Sequence, residues 1–339
     1  MRFYVLIFLS LLMMQAAWAQ KSCRVDLPVG VVGMDGSLLN GLTASDVTVH
    51  LRKQTLAIEN VGYDTGPRRI LFVLDTSRRL PPEARKAETM MVSYVLSKAR
   101  PADSFALMTA RGASRQVHFE EGRDALMKAV QELAADPKEQ TKTPNILDTM
   151  MNGVHWFGEP RPGDAIILMA DHLEESNSES QYQGRGITGV GPMQGVVSDR
   201  GPSFEASSRY KFSAVADTLA VHGIRVFGLQ LGALNFASGV YEPSEENLLG
   251  ITLGSGGYLI LDAADAFGSY VWNDARAGKL QNRMYQLYGA IAQFYVLRVN
   301  APTPLHREFW TLELAKDLRK NTRALYPHLF DPCAPAEAH

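Results

Sequence analysis

Two apolar runs in this chain end in residues that can do chemistry. Ile70-Leu71-Phe72-Val73-Leu74 stops abruptly at Asp75-Thr76-Ser77, with Arg78 and Arg79 behind it. Ala165-Ile166-Ile167-Leu168-Met169-Ala170 stops at Asp171. A short, wholly apolar run reads as a strand buried on both faces of a parallel sheet. Ligands of open α/β sheets sit outside the carboxyl ends of such strands, where strand order reverses. Two aspartates at equivalent strand ends, one with Ser77 beside it, bring oxygen donors to that place. Taken alone, Asp75 reads as a capping or strand-end hydrogen-bonding group. Paired with Asp171 it reads as part of a site. Arg79 reads either as a solvated loop charge beside Arg78 or as a salt-bridge partner.

Other chemistries find little support. His155, His172, His222, His306 and His328 show no His-Glu-x-x-His or comparable ligand spacing. Gly254-Ser255-Gly256-Gly257 is neither a phosphate loop nor a nucleophile elbow, and reads as a turn. A hydrolase using Asp75 and Asp171 as a carboxylate pair would need a nucleophile or base motif that the sequence does not show. No enzyme is expected. Lys and Arg number 34 against 36 Asp and Glu, a net charge of −2, with no basic stripe, so nucleic acid is not an expected partner. Met90-Met91 and Met150-Met151 read as core filling rather than partner surface.

The elements that must position Asp75 and Asp171 alternate. Residues 70–74, 104–109, 165–170, 225–231 and 258–261 read as strands, with a short one at 117–119. Helices are predicted from Pro81-Pro82 onward with Ala84, Ala87, Met91, Tyr94 and Val95 on one face, after Gly122 with Leu126, Val130 and Leu133, and over 146–157, 212–221 and 245–253. Such alternation predicts a parallel sheet covered by helices on both faces. Before it, residues 24–32 read as a strand, Val47, Val49 and Leu51 alternate like another, and 62–67 reads as a linker. After a helix carrying Leu280, Met284, Leu287 and Ile291, residues 294–299 and 310–314 read as strands of an antiparallel addition paired with the N-terminal ones. A polar, Gly- and Ser-rich loop at 174–208 starts at the rim of the site; long structureless loops are usually functional or disordered.

The N-terminus reads as a targeting segment. Arg2 precedes an apolar run from Phe3 to Met14, too short for a typical membrane span, and Ala17-Trp18-Ala19 is a small-x-small cleavage site. Cleavage after Ala19 makes 1–19 a signal peptide and the protein exported, periplasmic or secreted, with no membrane span left; an uncleaved anchor is the alternative. In an oxidising compartment Cys23 and Cys333 are expected to form a disulfide tying the two ends of the mature chain together, the alternative being two inert thiols. The organisation is then a β segment at 20–66, an α/β domain at 67–292 and a C-terminal β segment at 293–339.

The order of these features resembles the von Willebrand factor type A fold. More closely it resembles exported bacterial proteins of the "VWFA-related" type, through Gly41-Leu42-Thr43-Ala44-Ser45-Asp46 and Gln293-Phe294-Tyr295-Val296-Leu297. The resemblance implies a Rossmann-like α/β fold, mostly parallel with helices on both faces, plus a small β add-on from the N- and C-terminal segments. It also implies a metal-ion-dependent adhesion site. Asp75 and Ser77 match the opening of its Asp-x-Ser-x-Ser motif, and Arg79 stands where the second serine belongs. Counting back from Asp148 puts Pro144 in the threonine slot, with Thr143 one residue early. Asp171 matches the acid of a Thr-Asp-Gly loop, flanked by Ala170 and His172, which do not match.

By that resemblance Mg²⁺ or Mn²⁺ would be held by Asp75, Ser77, Thr143 and Asp171, with one position left for a partner's carboxylate. Mg²⁺ demands near-octahedral oxygen coordination and keeps several waters. Arg79 cannot deprotonate and cannot ligate a metal. Pointed inward it would pair with Asp75 or Asp171 and replace the ion's charge; pointed outward it would leave a weakened site. The expected function is an exported, non-enzymatic module that binds a protein partner through Asp75, Ser77, Arg79, Asp171 and His172 at a degenerate adhesion site. The alternative is a structural envelope protein with a vestigial, metal-free site.

Overall fold

The computed structural model describes residues 22–33, 36–76, 82–110, 115–135, 146–170, 212–232, 243–263, 273–302 and 308–330. Three strands come first: β1 (Ser22–Gly33), β2 (Val47–Leu51) and β3 (Gln54–Asp64). An alternating stretch follows: β4 (Arg69–Leu74), α1 (Pro82–Lys98), β5 (Ser104–Thr109), β6 (Gln116–Val117), α2 (Gly122–Ala135), α3 (Ile146–Trp156), β7 (Ala165–Ala170), α4 (Phe212–Val221), β8 (Arg225–Gly232), α5 (Pro243–Gly254), β9 (Leu259–Ala263) and α6 (Asp274–Ala292). The last elements are β10 (Phe294–Pro302), β11 (Glu308–Leu314), β12 (Thr322–Leu325) and β13 (Leu329–Phe330).

The alternating stretch builds a six-stranded sheet in the order β6-β5-β4-β7-β8-β9. Neighbours are parallel except β6, which runs antiparallel to β5 at the edge. The central strands are buried on both sides, which is why they read as unbroken apolar runs. Ile70, Phe72 and Leu74 pack with Phe105 and Leu107 under α1, α2 and α6. Leu71 and Val73 pack with Met108, Ile166 and Leu168 under α3, α4 and α5. Each such side chain contributes roughly 1.5–3 kcal/mol by leaving water. Close approach of α3 depends on Gly153, where a Cβ would stand 2.5 Å from Leu71 Cδ2. Met91 and Met150 are fully buried, as core filling requires.

The remaining strands form a second sheet in the order β12-β1-β10-β3-β2-β11-β13, antiparallel throughout. Among the described residues it counts seven strands, one more than the central sheet, so it is larger than the small addition expected from sequence. The stretch read as a linker at 62–67 is strand up to Asp64. β3 is mostly solvent-facing, with Leu56 its one fully buried residue, so its apolar signal is faint. The short strand expected at 117–119 spans only Gln116–Val117, because Phe119 already opens a 3₁₀ turn.

Arginines bolt the two layers together below the sheet. Arg225 is fully buried and donates from Nη1 to the Ala290 carbonyl and from Nη2 to the Ile291 carbonyl, each over 3.2 Å. Arg68 Nη2 donates to the Ala292 carbonyl at 3.2 Å and to Asp64 Oδ1 at 2.8 Å. Both guanidinium groups lie over the Phe294 ring, 4.3 and 4.4 Å from its centroid. The last carbonyls of a helix carry partial negative charge and lack intrahelical partners, so cations stabilise that end.

Candidate functional site

Strand order reverses at β4. From there the chain moves outward to β5 and β6, then crosses back to β7, β8 and β9 on the other side. In such sheets the ligand crevice opens between the two strands at the reversal, outside their carboxyl ends. Asp75 follows β4 at that place and is 0 % exposed. Its amide donates to the Met169 carbonyl at 2.9 Å and to Glu88 Oε1 at 3.1 Å.

Glu88 sits on the sheet-facing stripe of α1 among Ala84, Ala87, Met91 and Val92, and is 3 % exposed. Burial first, and then the neighbouring Asp75 charge, push its carboxyl well above the usual carboxylate range. The Asp75 amide and Arg85 pull the other way without reversing this. An acidic side chain kept toward its neutral form thus lies directly against the first residue of the candidate site.

Register defines what surrounds Asp75. Leu74 lies opposite Met169 on β7 and Thr109 on β5, and Ala170 lies opposite Gln230 on β8. One step beyond Leu74, the residues Ala110, Asp75, Ala170 and Gln230 follow one another across four strands. Ala110 and Ala170 belong to the core under α3, α4 and α5. Strand alternation carries Gln230 toward that face too, whereas Asp75 lies one residue past β4 and meets Glu88 of α1. Gln230 is 6 % exposed, and its Oε1 has no hydrogen-bond partner among the described residues. Thr149, in the first turn of α3, donates from Oγ1 to the Ala110 carbonyl at 3.0 Å, and Asp148 beside it is buried. Thr109 Oγ1, on the opposite face with Phe105 and Leu107, is likewise buried without a partner among the described residues.

Of the residues singled out from sequence, Asp75 is the one the structure describes at the site. Ser77, Arg79, Thr143, Asp171 and His172 lie outside the described residues, as do residues 1–21 and the loop at 174–208. Cys23 lies on β1 opposite Ala301, and Cys333 is outside the described residues, so the proposed disulfide is too. Among the described residues no three His, Cys, Asp or Glu side chains are grouped to hold a metal ion. No described helix is long and apolar enough to cross a membrane. Sequence reasoning missed Glu88 and Gln230. Each left a signal: a charge inside an apolar helical stripe, and an amide inside an apolar strand.

No family model matches the chain, and no curated protein matches it. Solved structures do. An aerotolerance-related membrane protein from Bacteroides fragilis, with multiple mutations to serine, is 14% identical, covers 65% of this chain and 98% of its own, and has a TM-score of 0.39. The PilB minor pilin from Streptococcus sanguinis is 14% identical over 68% of this chain and 62% of its own, with a TM-score of 0.40. Proximal thread matrix protein 1 from the mussel byssus, with a zinc-occupied MIDAS motif, is 13% identical over 70% of this chain and 50% of its own, with a TM-score of 0.42. The chain therefore matches less than two thirds of the length of the last two. What its own topology defines is a mixed α/β protein with two sheets, the central one wound in both directions from β4.

Proposed function

We propose that the protein is an exported, non-enzymatic interaction module of the von Willebrand factor A type, binding a protein partner at the carboxyl-end face of the central sheet. The observation that carries this reading is Asp75, a buried carboxylate at the point where strand order reverses. In this reading 1–19 is a signal peptide, 67–292 is the binding domain, and 20–66 with 293–339 supply the second sheet. Partner contact would run through Ser77, Arg79, Asp171 and His172 around Asp75.

The described donors suit a hard cation. A buried carboxylate at Asp75, and the amide oxygen of Gln230 that has no partner among the described residues, are oxygen groups of the kind Mg²⁺ and Mn²⁺ take. Asp75, Ser77, Thr143 and Asp171 would hold the ion. Bound there, it would supply an open position for a partner's carboxylate. A carboxylate without exposed surface does not itself meet a partner, so Asp75 would act through the ion or a water. Glu88 fixes the Asp75 main chain from below.

That same burial favours a second reading, a structural envelope protein whose site is vestigial and metal-free. Two measurements separate the readings. Asp75→Ala and Asp171→Ala in the mature protein are expected to abolish capture of a partner from envelope extract while leaving the circular dichroism spectrum intact; unchanged capture overturns the proposed site. Calorimetric titration with Mg²⁺ and Mn²⁺ is expected to give saturable binding, whereas no heat and no thermal shift favours the vestigial site.

A further inference from the structure

β11 and β12 follow one another in the chain but do not pair. β11 bonds β2 along most of its length and β13 only at Glu308 and Phe309, while β12 bonds β1 and ends the second sheet. The gap between them is shut at both ends. The Trp310 amide donates to the His328 carbonyl at 3.0 Å on one side, and residues 315–321 connect the strands on the other. Between these closures is a cleft of about 520 Å³, lined by Leu312, Glu313, Arg319, Arg323, Ala324 and Gly257. It lies at the amino end of β9, whereas Asp75 lies past the carboxyl end of β4.

Peptide groups of both strands turn into this cleft, and alternation fixes which. The Ala315 amide points toward β2, donating to the Asp46 carbonyl at 2.7 Å, and the Trp310 amide points away from it. Leu312, two residues on from Trp310, therefore points away from β2 as well. On β1 the Val31 carbonyl accepts from Leu39 and the Gly33 amide donates to Ser37, which leaves Gly30 and Val32 to bond Leu325 and Arg323. Ala324 thus turns its N–H and C=O away from β1, toward β11. Neither Leu312 nor Ala324 has a hydrogen-bond partner on that side among the described residues. Open strand edges of this kind pair with an extended peptide main chain.

Charge and shape say which part of a peptide fits. Arg319 Nη2 is paired with Glu313 Oε2 at 2.7 Å, so those two charges cancel. Arg323 is exposed and has no ion-pair partner among the described residues; its guanidinium is held over the Tyr258 ring, 5.2 Å from the centroid. Ala324, Leu312 and Leu314 offer apolar surface beside it. A chain running through the cleft would meet the closures at both ends, whereas a chain end can stop inside. An arginine without an ion pair beside free amide donors suits a carboxylate and repels an amino terminus. We infer that this cleft binds the carboxyl terminus of an extended peptide, its last amides pairing with the open edge at Leu312 or Ala324, its terminal carboxylate meeting Arg323, and an apolar last side chain covering Ala324. The inference does not rest on the reading of Asp75.

The test uses the full mature chain and one probe, a hexapeptide of alternating threonine and valine ending in valine and labelled with fluorescein at its amino end. It is supplied as the free acid and as the carboxamide, and binding is read by fluorescence polarisation. The free acid is expected to bind saturably, and the carboxamide about 10-fold more weakly, the size of a lost hydrogen bond to a charged group. Arg323→Gln is expected to weaken the free acid by a similar factor and to erase its advantage over the carboxamide. Amide hydrogen exchange over 310–314 and 322–326 is expected to slow when the free acid binds. Should Arg323→Gln fail to fold, the acid and amide comparison on the parent chain, with the exchange measurement, carries the test. Equal binding of acid and amide, or unchanged exchange in those two segments, overturns the inference. Displacement of the peptide by an equal concentration of sodium acetate overturns it too, because the site would then hold a small carboxylate rather than a peptide end.

Discussion

The main-chain amide of Asp75 is shared between the Met169 carbonyl at 2.9 Å and Glu88 Oε1 at 3.1 Å. One N–H thereby ties the end of β4 both to β7 and to α1. A helix and two strands meet at the residue on which the proposed site depends.

Glu88→Gln keeps an oxygen for that amide and removes the buried charge. The folded-state carboxyl of Glu88 is held above its ordinary value of 4.5. Its stability contribution is therefore complete below that value and is lost as pH rises through the folded one. The variant is expected to be more stable than the parent at pH 8, with the two converging near pH 4. Thermal melts at both pH values check this; a lower melting temperature for the variant at pH 8 contradicts it.

Asp103 has the opposite sign. It accepts from the Arg68 amide at 2.8 Å, from Arg100 Nη2 at 2.8 Å and from the Tyr288 hydroxyl at 2.6 Å. Burial pushes its carboxyl up, but these donors outweigh it and hold the group below its ordinary value of 3.8. That stability is present above the ordinary value and is lost as pH falls through the folded one. Asp103→Asn is expected to cost about 2–3 kcal/mol at pH 7, and less as the pH approaches 3. Urea unfolding across that range gives the measurement.

Arg225 separates charge from volume. Burial, with Arg68 nearby, pushes its guanidinium down to about 9. Arg225→Ala leaves a cavity and strips the Ala290 and Ile291 carbonyls of their donors, and should cost about 3–5 kcal/mol. Arg225→Met refills the volume without desolvating a charge and should cost less than half as much. Equal losses in chemical denaturation would mean that the hydrogen bonds, not the packing, carry the effect.

Gly257 is a steric limit. A Cβ there would stand 1.8 Å from the Val226 carbonyl oxygen and 2.6 Å from its carbon, both main-chain atoms of β8. Gly257→Ala must push β8 and β9 apart, and is expected to cost about 3 kcal/mol or more. A melting temperature within about 2 °C of the parent would show that the approach relaxes cheaply.

What could be read from sequence follows burial. Residues 70–74 and 165–170 were legible because strands buried on both sides must be apolar throughout, and their polar ends stand out by contrast. β3 was not, since most of its side chains face solvent and its pairing with β10 is main chain. β12 and β13 are too short to show a period. Glu88 and Gln230 are single polar letters inside apolar patterns, and a pattern reader discounts single letters. Only the register that puts Gln230 opposite Ala170 makes its position meaningful.

β10 lies between β1 and β3 in the second sheet. During synthesis both flanking strands emerge long before it, and the whole α/β stretch is made in between. Until β10 arrives, β3 keeps one unpaired edge and β1 has neither of its neighbours, since β10 and β12 both follow it in the chain. Unpaired edges of that kind are the ones prone to capturing a strand from another molecule.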